Sequence, residues 1–156
     1  MDAGFSWILI SILALALALA AFRDWRSRTI PNWLNAFIAL LAIPFWWSIG
    51  LSVWPDAAIQ VAVAAAVFAL FAAAFAMGAM GGGDVKMVAA LALWLPAGAV
   101  LKLLVIMSIA GGALTVAMLI RQRMAKSPGA LEIPYGIAIA FGGLWLISER
   151  FFNQFG

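Results

Sequence analysis

Apolar residues run along this chain in six long stretches, separated by short polar or glycine-rich breaks. The stretches cover residues 5–22, 33–53, 57–77, 85–95, 98–120 and 134–151. Five of them reach the length of about 18 residues at which an α-helix can cross a bilayer. The fourth is short: about 11 residues rise only about 17 Å against a hydrocarbon core of about 30 Å. Three placements are open to it: tilted, started below the lipid boundary, or enclosed in the bundle beside water. The pattern predicts an all-α membrane protein, a bundle of six transmembrane helices with the fourth short, forming one membrane-embedded domain over residues 1–156.

Composition agrees with this pattern. Of 156 residues, 67% are hydrophobic and only 10% charged, and the mean hydropathy is +1.13. A soluble domain of this length needs far more charge to cover its surface. The net charge of +3 does not indicate nucleic acid, because the cations gather in two loops. Arg23, Arg26 and Arg28 follow the first stretch, and Arg121, Arg123 and Lys126 precede the last. The positive-inside bias puts both loops in the cytoplasm. Six crossings satisfy that and five do not, so both termini are expected outside. The glycine-rich break at 78–83 then shares the cytoplasmic face with the first basic loop. A cleaved signal peptide is not expected from the first stretch, since Asp2 and no cation precedes it.

Small residues recur at close-packing spacing, Gly78 with Gly82 and Ala58 with Ala62 and Ala66, which predicts tight helix contacts. Trp25, Trp33, Trp46, Trp47, Trp54 and Trp94 fall near predicted span ends, as interfacial belts do. Pro44 is expected to kink the second helix.

The chain has no Cys and no His. Disulfides, thiol nucleophiles, Ser-His chemistry and His-ligated zinc are excluded. An all-carboxylate metal site stays open, but six scattered acids make it unpromising, and no cofactor is expected. Two polar stretches remain as carriers of chemistry. One runs from Asp24 to Asn32, where Pro31 closes the loop and opens the next helix, with Asn32 placed to cap it. The other is Gly81-Gly82-Gly83-Asp84-Val85-Lys86, where glycine admits close backbone approach and an acid sits at a helix start. On these residues alone two readings stay open. Asp24 is a solvated loop acid and Asp84 an N-cap, or the two are functional ionisable groups at membrane depth.

The pair of patterns D-x-R-x-x-x-I-P-N, from Asp24 to Asn32, and G-x-G-D-x-K, from Gly81 to Lys86, resembles the type IV prepilin peptidases, GxGD aspartyl proteases of the membrane. Ile133-Pro134-Tyr135-Gly136 resembles a third family signature, opening the final helix. The resemblance implies that Asp24 and Asp84 are catalytic, and that Ile30, Pro31, Asn32, Gly81, Gly83, Lys86, Pro134, Tyr135 and Gly136 shape the site or bind substrate. It implies a bacterial inner-membrane enzyme, active at the cytoplasmic face, whose substrate is a prepilin or pseudopilin with its own membrane helix. The family cuts after a Gly just before the pilin's hydrophobic stretch. Larger members carry a cytoplasmic insertion, often with four cysteines, tied to N-methylation. That insertion has no counterpart here, so the chain resembles the short peptidases of tight-adherence (Flp) pili, with archaeal preflagellin peptidases as the other short form.

In such a pair, two close carboxylates do not both ionise readily, and they titrate as a unit. The competing readings are a small transporter, with Lys102 in the fifth span as its intramembrane charge, a non-catalytic pilus or secretion assembly subunit, and a Ser-Lys protease using Lys86 or Lys102 with a serine such as Ser108.

Overall fold

The computed structural model describes residues 3–125 and 133–155. Among these it contains six α-helices: α1 (Ala3–Ser27), α2 (Asn32–Ser48), α3 (Ala58–Ala76), α4 (Gly82–Ala92), α5 (Ala97–Ala125) and α6 (Tyr135–Phe155). A short helical turn at Val53–Ala57, bent at Trp54, leads into α3. Three segments, Gly4–Ser27, Val53–Ala76 and Ala97–Ala125, are long and apolar enough to cross a membrane. Apolar side chains face outward along the bundle: Leu15, Leu40, Leu70, Leu101 and Ile109 are all more than half exposed. Such a surface is stable only against lipid.

Helix α4 resolves how a short apolar helix fits. It packs on α3, α2 and α6, and Val85, Met87, Val88, Ala90, Leu91 and Ala92 are all buried. Enclosed by longer helices, it does not need to match the thickness of the bilayer. Around it, Leu13, Leu17, Leu34, Ile38, Phe45, Leu103 and Ile139 complete the core. Lipid supplies no hydrophobic drive for helix association, so close packing and interhelical hydrogen bonds hold the bundle. Trp94 stacks on Phe45 with ring centroids 4.7 Å apart, and its Nε1 donates to the Ile38 carbonyl at 2.9 Å. Trp46 Nε1 donates to the Leu93 carbonyl at 2.8 Å. Both bonds tie α2 to the C-terminal end of α4.

Several expectations shift. The first helix runs on through Asp24 to Ser27 rather than ending at 22, so Asp24 is a helical residue in its final turns. Residues 28–31 alone form the connection. Trp94 is buried, only 3% exposed, and serves the core instead of an interfacial belt. Trp25, Trp33, Trp47 and Trp54 are exposed near helix ends as expected. Gly78 is a helix terminator with open space at its Cβ position: its φ is +73°, and the Ala79 amide after it donates to the Ala74 carbonyl at 2.9 Å, the hydrogen bond of a glycine C-terminal cap. Ala62 and Ala66 face outward, whereas Ala64 and Val67 are the buried residues of α3. Pro44 does lie inside α2.

Contacts group the helix ends. The connections 28–31 and 77–81, the start of α4 and the start of α6 meet at one end of the bundle. The α2–α3 and α4–α5 connections lie at the other. Arg121 and Arg123, in the last turns of α5, belong to the first end. Lys126 lies outside the described residues.

Candidate active site

Asp24 and Asp84 reach one cavity by different routes. Asp24 projects from the last turns of α1. Asp84 sits in the first turn of α4, whose N-cap is Gly81, with extended backbone at φ −73° and ψ 143°. Asp84 is thus three residues past the cap and is not itself the cap. Both side chains are buried, at 3% and 7% exposure. They line a cavity of about 500 Å³ together with Arg28, Met80, Gly81, Ile133 and Tyr135. The charge of Asp24 is among the influences on Asp84. The backbone amide of Gly136 faces both carboxyl groups, joined by Ile137 on the Asp24 side and Gly81 on the Asp84 side. The start of α6 therefore brings backbone amides to the acids, where a helix N-terminus favours negative charge.

The glycines of the second and third motifs have separate steric reasons. A Cβ on Gly81 would lie 2.9 Å from Asp84 Oδ2. One on Gly83 would lie 3.3 Å from the Ile30 carbonyl oxygen, at the α1–α2 connection. One on Gly136 would lie 2.8 Å from Asp24 Oδ2 and 2.6 Å from Ile30 Cδ1. Ile30, itself buried, is the wedge that both glycines accommodate. Tyr135 packs on α5, where a Cβ on Gly111 would meet its ring at 3.0 Å. Pro134 is fully buried behind it.

Not every expected site residue reaches the cavity. Asn32 and Lys86 bind each other, Nζ to Oδ1 at 2.8 Å. They link the first and second motifs on an exposed face beside the α2–α4 groove and are not among the residues lining the acid-bearing cavity. Asn32 forms no helix cap; Pro31 occupies that position, without a side-chain bond. Arg23 and Arg26 are not the cations beside Asp24: Arg28 is. Neighbouring positions on a helix point to different faces, whereas the chain turns back at residue 28 onto the face of Asp24. Lys102 stands at the opposite end of the bundle, 3.8 Å from Glu149. Ser108 hydroxyl donates to the Leu104 carbonyl within its own helix. Lys102 thus pairs with an acid and Ser108 with its own helix backbone, and the two do not form the Ser-Lys pair of the competing reading.

One buried polar residue escaped the sequence reading. Asn35, 4% exposed, donates from Nδ2 to the Gly83 carbonyl at 3.0 Å, fixing the peptide just before Asp84. A lone Asn in an apolar stretch, three residues past the first motif and so on nearly the same helix face, was its only signal.

Among the described residues, no cluster of three or more metal-binding side chains occurs. The arrangement holds two carboxyl groups, a cation and nearby backbone amides around a cavity of about 500 Å³. Such a set can activate water and polarise a carbonyl. The family model described as the type IV leader peptidase family matches residues 11–116, a stretch that contains both acids and ends before Ile133. No curated protein and no solved structure gives a significant match.

Proposed function

Because the chain belongs to the type IV leader peptidase family, we propose that Asp24 and Asp84 are the catalytic pair with which this membrane aspartic-type endopeptidase removes the cytoplasmic leader from Flp-like prepilins or pseudopilins. The observation that carries this reading is the convergence of the two acids, from α1 and α4, on one cavity under a shared backbone amide. The enzyme works in the bacterial inner membrane. The end of the bundle that bears the acids and arginines faces the cytoplasm, as the positive-inside bias requires.

With one proton shared by the pair, the ionised carboxylate takes a proton from water. The resulting hydroxide attacks the scissile carbonyl carbon while the protonated carboxyl donates to the carbonyl oxygen. A tetrahedral gem-diol forms. Transfer of a proton to the amide nitrogen lets the C–N bond break, leaving the leader with a C-terminal carboxyl and the pilin with a new amino terminus. The carboxyls finish with one proton between them, as they began. Gly81, which lines the cavity, gives the 77–81 connection a backbone surface that an extended substrate segment can approach.

The test is co-expression of a candidate prepilin with wild type, Asp24→Asn or Asp84→Asn, followed by mass spectrometry of the pilin. Wild type should yield the trimmed form, and each variant should leave the leader attached. Normal trimming by either variant overturns the assignment of the pair.

A further inference from the structure

Arg28 is the one residue other than glycine with positive φ among those described, at +54°. It ends α1: its amide donates to the Asp24 carbonyl at 3.0 Å, the bond of a left-handed helix C-terminus that glycine ordinarily occupies. Any side chain with a Cβ is strained there, and such strain is retained where surrounding structure or function requires it. The side chain at this position goes into the cavity, which it lines beside Asp24 and Asp84. Its Nη1 is buried without a hydrogen-bond partner, and a guanidinium nitrogen is a donor only, so the group calls for an acceptor oxygen. Asp24 Oδ2 is likewise buried and unpartnered. Donor and acceptor thus belong to residues lining the same cavity and do not close on each other.

Resting on the proteolytic reading above, we propose that Arg28 is a substrate-binding residue whose guanidinium turns to donate a hydrogen bond to a backbone carbonyl oxygen of the extended segment lying across Asp24 and Asp84. Such a contact holds the peptide in register for cleavage. A peptide carbonyl is present in every substrate segment and brings no second charge to a buried acid pair.

The test uses purified full-length enzyme in detergent and a prepilin with its membrane helix, comparing wild type with Arg28→Gly and Arg28→Lys. Glycine suits the left-handed backbone, so Arg28→Gly should melt at or above the wild-type temperature, which separates binding from folding. A hydrogen bond to a charged donor corresponds to a loss of about 10- to 100-fold in kcat/KM, and it should fall mainly on KM, with Arg28→Lys recovering part. A prepilin whose acidic residues near the cut are replaced by amides should show the same loss. Wild-type kcat/KM in Arg28→Gly overturns the proposal while leaving proteolysis intact. So does a loss confined to kcat with a displaced pH profile, or one that vanishes on the amide-substituted prepilin. A wild type that does not cleave overturns the proteolytic reading and this one with it.

Discussion

Gly136 has room for a hydrogen atom and nothing larger. Its missing Cβ is the space that Asp24 Oδ2 and the tip of Ile30 fill, while its amide faces both acids. Gly136→Ala should therefore displace the Asp24 carboxyl. A shift of about 1 Å at reacting groups can cost on the order of 100-fold in rate, and overpacking of this kind lowers stability by about 1–3 kcal/mol. Gly112 supplies the contrast, because nothing lies within 4 Å of its Cβ position. Gly112→Ala should keep full activity and gain up to about 1 kcal/mol from helix propensity. Initial rates and melting temperatures of the two variants, measured side by side, check both expectations. Equal activity in the two would remove the steric account of the third motif.

At the scale of elements, α2 and α4 form the frame that presents Asp84. Asn35 holds the Gly83 peptide from α2, and Lys86 reaches back to Asn32 at the α2 start. Asn35→Asp keeps the shape but sets an acceptor against the Gly83 carbonyl. It should lower cleavage at least as strongly as Asn35→Ala, with a stability loss of about 1–3 kcal/mol. If Asn35→Asp cleaves normally, the bond does not position the acid. Much of this frame was legible in the chain. Long apolar stretches marked the helices, and Pro31 marked where α2 begins, whereas α4 starts at Gly82, inside the glycine-rich break and ahead of the apolar run at 85. What stayed hidden depended on partners distant in sequence. Hydropathy ended the first helix at 22 because Arg23 and Asp24 are charged, yet the helix continues until the left-handed turn at Arg28. Trp94 read as interfacial because it follows an apolar run, but Phe45 and the Ile38 carbonyl draw it inward. Asn35 carried no motif, since its role is set by a carbonyl 48 positions away.

For the whole molecule, the site depends on which loops share an end. Antiparallel packing brings residues 27–32, 77–81 and 133–137 together and sends residues 49–57 to the far end. The absence of cysteine allows single cysteines to report this directly. Cysteines at Ser27 and Ala79, both exposed, should react with a membrane-impermeant maleimide from the cytoplasmic side. A cysteine at Ser52, also exposed, should react from the outside. Labelling of Ser27→Cys and Ala79→Cys from opposite sides would refute the arrangement.

The most direct measurement replaces both acids at once in the cysteine-free chain, Asp24→Cys with Asp84→Cys, and treats the membranes with dibromobimane, which fluoresces once it has bridged two neighbouring thiols. The double variant should become fluorescent within the monomer, and neither single variant should. Dark protein in which both cysteines still react separately with a maleimide would contradict the convergence of these two side chains.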